Sequence, residues 1–188
     1  MMQPILHDFD DVIETKRLLI RGPRPGDGKE LRLAIADSIN ELKEWMPWAT
    51  GIPTEEEAEE NVRNAFLKFL KREDLRLNIY LKGTETLVGC SGLHRINWNV
   101  PKFEIGYWCR TTHTRQGYIR EAVEAITQFA FETLKAKRVE IRCDPFNVRS
   151  SRIPEVLGFR LEGTFRNDDR STNGELRDTM IFAKTDTD

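Results

Sequence analysis

The sequence is poor in cysteine: Cys90, Cys109 and Cys143 are odd in number and lack Cys-x-x-Cys spacing. A disulfide framework and a zinc site are therefore not indicated, and the three read as free thiols inside strands. No apolar run approaches the ~20 residues that a membrane helix needs. The opening residues lack a basic stretch followed by a long apolar one, so export is not expected and the cytoplasm is the expected compartment. Neither sign of charge dominates. With 29 Lys+Arg against 31 Asp+Glu the net charge is -2, whereas a dedicated nucleic-acid binder carries a basic excess. Neither Gly-x-Gly-x-x-Gly nor Gly-x-x-x-x-Gly-Lys-Ser/Thr occurs, which removes the main support for a Rossmann dinucleotide enzyme and for a P-loop nucleotidase. Internal repeats and low-complexity tracts are absent as well.

What is present is a chain of 188 residues, 39% hydrophobic and 32% charged, with a mean hydropathy of -0.54. That balance suits one globular domain over residues 1–188, with 1–12 as an N-terminal extension. Residues 14–21, where Leu18, Leu19 and Ile20 bunch, read as a first strand stopped by the Gly22-Pro23-Arg24-Pro25-Gly26 cluster. Helical composition follows over 29–36 and 40–45, and Thr54 with Glu57 makes a capping box that opens a helix over 55–71. Residues 76–81, 87–96 and 102–110 read as three successive strands. Ile119, Ala122, Val123, Ile126, Ala130 and Leu134 recur at steps of three and four, so 118–134 is an amphipathic helix. A strand over 138–143, a short helix over 150–157 ended by Gly158, and closing strands over 159–163 and 176–183 complete the pattern. The order is that of a mixed α/β (α+β) fold, an antiparallel meander leading into a β-α-β unit.

One loop gathers the features of an anion site: Thr111-Thr112-His113-Thr114-Arg115-Gln116-Gly117, between a strand and the start of the long helix. A helix N-terminus presents unpaired N–H groups and a partial positive charge, Gly117 permits close backbone approach, and Arg110, Arg115 and Arg120 add formal charge. An ordinary strand-to-helix turn with solvated arginines fits the same pattern.

Several separate segments carry a resemblance. They are Phe103-Glu104-Ile105-Gly106-Tyr107-Trp108-Cys109-Arg110, Gln116-Gly117-Tyr118-Ile119-Arg120-Glu121-Ala122, Asp144-Pro145-Phe146-Asn147-Val148-Arg149-Ser150, and Val156-Leu157-Gly158-Phe159 with Leu161-Glu162-Gly163. In this order they resemble the GNAT superfamily of N-acetyltransferases, and within it the RimJ/RimL group of amine and protein N-terminal acetyltransferases. Glu14-Thr15-Lys16-Arg17-Leu18, Trp45-Met46-Pro47-Trp48 and Gly174-Glu175-Leu176-Arg177-Asp178 fit that group too. The resemblance implies a mostly antiparallel mixed sheet of about six to seven strands flanked by helices. In it, the strand ending at Arg110 and the parallel strand from Arg138 splay apart to admit acetyl-CoA.

The superfamily's pyrophosphate loop, Gln/Arg-x-x-Gly-x-Gly/Ala, falls on residues 114–119, with Thr114 and Ile119 departing from it. By match of motif the cofactor side comprises Trp108, Cys109, Arg110, Arg115, Gln116, Gly117, Tyr118 and Ile119, joined by Asn147 and Ser150. The resemblance implies acetyl transfer from acetyl-CoA to a primary amine, a protein N-terminal α-amine or a small molecule, directly and without a metal. The two departures leave open a non-catalytic acyl-CoA-binding module on the same fold. No membrane or direct nucleic-acid partner is expected, and the chain would act as a monomer or homodimer.

Roles follow from the same likeness. A backbone N–H near Trp108 to Arg110 is the natural donor to the oxyanion. Asn147 would bond the pantetheine arm and Ser150 would protonate the sulfur; alternatively Asn147 makes a turn and Ser150 caps the short helix. Glu104 is the first candidate base, or else a sheet-face charge paired with an arginine. His94 comes second, or is a satisfied sheet histidine. Trp45 and Trp48 line the amine groove, or one of them plugs the core.

Overall fold

The computed structural model describes residues 3–188. A hairpin of β1 (Val12–Glu14) and β2 (Leu18–Arg21) leads to α1 (Gly28–Ala36), α2 (Ile39–Trp45) and α3 (Glu55–Leu70). The meander β3 (Leu75–Leu81), β4 (Leu87–Asn97) and β5 (Lys102–Cys109) comes next, then α4 (Tyr118–Glu132), β6 (Arg138–Cys143) and α5 (Val148–Val156). The long pair β7 (Arg160–Arg170) and β8 (Leu176–Thr185) closes the chain. The strands form one sheet in the order β1-β2-β3-β4-β5-β6-β8-β7. Among the described residues every neighbouring pair is antiparallel except β5 and β6.

Helices cover both faces, as a half-apolar sheet requires. On one face α4 buries Ile119, Ala122, Val123, Ile126 and Ala130 against Leu18, Ile20, Ile79, Phe103 and Ile105. On the other, Leu31, Ala34 and Ile35 of α1, Leu42 of α2 and Val62 of α3 pack with Tyr80, Leu87 and Cys90. The capping box expected at Thr54 and Glu57 is formed in both directions, at 3.1 and 2.7 Å.

Two features differ from the sequence pattern. The strand read over 14–21 is broken into a hairpin, because Thr15 turns the chain: its Oγ1 accepts the Leu18 N–H at 3.0 Å and its N–H donates to the Leu18 carbonyl at 3.0 Å. That extra strand brings the sheet to eight. The closing pair also runs further than its apolar residues, with β7 exposed along its length, so burial could not signal it. Residues ahead of β1 lie against the body: His7 stacks on Trp98 at 4.5 Å, and Phe9 meets Phe69 and Phe129 edge-on.

Phe103 is 1% exposed, pairs with Val139 at the parallel junction of β5 and β6, and meets Trp98 edge-on at 5.3 Å. Phe103→Ala is expected to cost about 3–5 kcal/mol, the range for emptying a buried aromatic site. Urea unfolding measures it, and a loss below about 1 kcal/mol would show that the junction does not depend on this side chain.

Candidate active site

Strands β5 and β6 pair only at Lys102–Arg138, Phe103–Val139 and Glu104–Glu140. Beyond that point β5 stays with β4 as far as Cys109, and β6 stays with β8 as far as Cys143. The two therefore part at Ile105 and leave an opening inside the sheet, where the motif placed the splay. Across it, the Tyr107 hydroxyl donates to the Ser150 carbonyl at 2.8 Å and accepts from Ser150 Oγ at 3.3 Å. Burial pushes the Tyr107 phenol well above its ordinary range, against the opposing Ser150 hydrogen bond, so it remains a donor.

At the end of β5 the chain makes a single 3-10 turn, Thr111–His113, and reaches Gly117, the N-cap of α4. Gly117 takes φ +77°, where a side chain is strained, and it offers no capping group. Among the described residues the N–H groups of 115–120 donate to nothing, a run of outward donors suited to a pyrophosphate. The two departures from the loop pattern leave these donors intact. Ile119 is buried in the α4 core, and Thr114 Oγ1 is engaged by the Thr111 carbonyl at 2.9 Å.

Arg110 differs from expectation. Its guanidinium turns away from the loop to Glu30 at 2.8 Å and Asp37 at 2.7 Å, which fastens β5 to α1. Two other cations flank Gly117: Nη2 of Arg17 and of Arg120 lie 3.6 and 3.9 Å from where its Cβ would be. Arg17 also binds Glu121 at 2.6 Å.

The Arg110 N–H donates to the Val88 carbonyl at 2.7 Å. This makes Gly89–Cys109 a non-hydrogen-bonded pair, so the Cys109 N–H faces the opening while those of Trp108 and Arg110 face β4. A Cβ on Gly89 would come within 2.2 Å of the Trp108 carbonyl, so only glycine admits this approach. Burial pushes the Cys109 thiol up to about 11, and Cys143, buried and near Asp144, is likewise pushed up to about 11. Both are neutral thiols at physiological pH. Asn147 is the N-cap of α5, its Oδ1 accepting the Ser150 N–H at 3.1 Å. The cap role thus falls to Asn147 rather than Ser150, and the Ser150 hydroxyl sits at the opening beside Tyr107.

From the opening a cleft of about 1210 Å³ extends over the α1–α3 face of the sheet. Glu104, His94, Trp45, Trp48, Asn147 and Ser150 all line it. Glu104 has a side chain only 17% exposed and an ion pair with Arg95 at 3.3 Å. Burial raises its pKa above the usual carboxylate value, opposed by Arg95, Arg142 and His94. His94 Nδ1 lies 2.7 Å from Asp74. Trp48 is 51% exposed and tilts toward Trp108 at 6.2 Å; Trp45 carries the Arg177 guanidinium at 5.1 Å, and Asp144 holds that guanidinium at 3.1 Å. Neither tryptophan is a buried plug.

Three residues were not singled out from sequence. Tyr107 and Arg177 sit inside segments that carried the resemblance, but nothing in their spacing marks them. Arg17 lies 104 positions from Glu121, and only the folded hairpin brings it to the loop. Among the described residues no group of three or more His, Cys, Asp or Glu is placed to hold a metal, and no helix is long and apolar enough to cross a membrane.

Comparison with known proteins agrees with this geometry. The family model of the acetyltransferase (GNAT) domain matches residues 17–160. The uncharacterized N-acetyltransferase YnaD of Bacillus subtilis (strain 168) is 30% identical over 155 residues, covering 82% of this chain and 85% of its own. A putative ribosomal-protein-serine acetyltransferase from Vibrio cholerae superposes with a TM-score of 0.77 at 28% identity, over 95% of this chain and 98% of that one. RimL, a ribosomal L7/L12 alpha-N-protein acetyltransferase in complex with coenzyme A, shares the fold at a TM-score of 0.86 and 19% identity, over 93% of this chain and 97% of its own. With a parted parallel strand pair, an open-donor loop at its edge and a family match over most of its length, the chain belongs to the GNAT family of acetyl-CoA-dependent N-acetyltransferases.

Proposed function

We propose that this enzyme acetylates a primary amine, the α-amine of a protein N-terminus of the ribosomal-protein type or the amine of a small molecule, by direct transfer in a ternary complex. The carrying observation is the one cleft that joins Ser150 at the strand opening to the half-buried Glu104 and the exposed Trp48. Acetyl-CoA supplies the thioester when bound. Gly117, Arg115, Gln116, Tyr118 and Ile119 present backbone donors to its phosphates, and the Cys109 N–H faces the place where negative charge develops on the carbonyl oxygen. Glu104 accepts the proton of the attacking amine, and Ser150 passes its hydroxyl proton to the leaving thiolate as it takes one from solvent in the open cleft. Trp45, Trp48 and His94 line the path of the acceptor. The neutral Cys109 and Cys143 thiols support direct transfer over an acetyl-cysteine, which needs a thiolate.

The proton requirement supports an α-amine. Deprotonating one of pKa ~8 at pH 7 costs about 1 kcal/mol, against about 4–5 for a lysine near 10.4. A single carboxylate whose pKa burial has raised meets the smaller demand. Thiol release from acetyl-CoA, followed over N-terminal peptides, small amines and N-blocked lysine peptides, is expected to favour the first two; turnover confined to lysine would overturn the proposal.

Ser150→Ala is expected to lower turnover by ~10²-fold with little change in the CoA dissociation constant. Equal turnover in a variant that is merely less stable would leave Ser150 only a structural part of the opening. For Glu104→Gln the turnover deficit should be largest at low pH and shrink toward the pKa of the amine, whereas a pH-independent deficit would point to substrate orientation.

Stability should move the other way. The folded-state pKa of Glu104 lies above its unfolded value, so protons bind the fold more tightly and stability is lost as pH rises through the folded pKa. The variant should therefore resist urea better than the parent at pH 7 and equally at pH 4.

A further inference from the structure

We infer that Arg17, in the turn between β1 and β2, sets the phosphate loop in its binding conformation and supplies a direct ligand to the CoA phosphates. The inference rests on the CoA-binding reading above and adds a residue outside the loop motif.

Three atoms of Arg17 are fixed. Its backbone N–H donates to Glu121 Oε1 at 3.0 Å, Nε to Glu121 Oε2 at 2.6 Å, and Nη1 to the Gln116 carbonyl at 2.9 Å. Thr15 Oγ1 donates to the same Glu121 carboxylate at 2.6 Å, and the guanidinium lies 4.5 Å over the Tyr118 ring. These contacts hold a planar fork of five donors in one orientation. Nη2 has no partner among the described residues and stands 3.6 Å from the position of a Gly117 Cβ.

Two consequences follow. A trans peptide sets its C=O and N–H in opposite directions. By drawing the Gln116 carbonyl to one side, Arg17 turns the Gly117 N–H to the other, and Gly117 accommodates this at φ +77°. Glu121 in the first turn of α4 suits the helix dipole but would repel a phosphate. Hydrogen bonds from Thr15 and Arg17 hold its pKa below the usual carboxylate value, against the opposing effect of burial, so it stays ionised. The Arg17 charge offsets it while Nη2 remains free for a phosphate oxygen. Arg110, whose charge is engaged by Glu30 and Asp37, leaves that task to a residue from near the start of the chain.

Calorimetry with CoA, and with pantetheine as a ligand lacking the phosphates, tests this. Arg17→Ala is expected to weaken CoA roughly 10- to 100-fold, the effect of losing a charge-assisted hydrogen bond, and to leave pantetheine unchanged. Arg17→Lys, which keeps the charge without the fork, should fall between, and turnover at saturating acetyl-CoA should hold while its KM rises. CoA affinity within twofold of the parent in Arg17→Ala overturns the inference, as does equal weakening of CoA and pantetheine, which marks general loosening of the hairpin. Should Arg17→Ala fail to fold, Arg17→Lys decides, with affinity equal to the parent against the inference. Absence of CoA binding by the parent protein would instead overturn the CoA-binding reading, and this inference with it.

Discussion

The partial pairing of β5 with β6 is the constraint on which the rest depends. A strand that leaves its neighbour exposes N–H and C=O groups that must find other partners. Here the exposure is held to a few residues: three register pairs keep the strands together at one end, while β4 and β8 hold their outer edges at the other. The sheet stays continuous although it is open in the middle. The Tyr107–Ser150 contact then ties β5 to α5 at the opening, through hydrogen bonds of the Tyr107 hydroxyl rather than through a ladder. The unpaired Cys109 N–H is thus available to a ligand because its strand is immobilised by other bonds.

Several formal charges around this opening have a counterpart. Arg110 is held between two carboxylates of the α1 side and fastens the C-terminal end of β5. Arg177 is held by Asp144 and lies over Trp45, which gives the cleft one firm wall. Such pairs contribute modestly to stability, since partly exposed ion pairs are worth ~1 kcal/mol or less. Their value lies in orientation. A guanidinium fixed by two partners reaches a third without the entropy of a free side chain.

The sequence disclosed what depends on periodicity and local caps. The α4 stripe from Ile119 to Ala130, the capping box at Thr54 and the order of the meander all follow from residues near one another in the chain. Contacts made by long-range folding stayed hidden. Arg110 carries the same label in sequence as Arg115, yet its strand points it at Glu30 and Asp37; Arg17 carries no phosphate motif and reaches the loop only through a hairpin that the run Leu18, Leu19, Ile20 concealed. Ile119 illustrates a different limit. A pattern of small residues suggests that a large one blocks the loop, but the helical phase turns Ile119 into the core, and the donors on the other side are backbone groups common to all residues.

Glu104 shows how the opening and the burial of a carboxyl group are linked. At the last paired position of β5, opposite Glu140, it is near enough to the core to lose most of its water and near enough to the cleft to line it. Two residues further along, the strand is already free of β6; one pair earlier, Phe103 is fully enclosed. Burial raises its pKa, while Arg95 and Arg142 restrain the rise. Burial favours the neutral acid and the arginines favour the carboxylate, so the group's affinity for a proton reflects the balance of the two. Glu104 stands where the pairing of β5 with β6 ends and burial is still high, so the parting that opens the sheet also sets the environment of this carboxyl group.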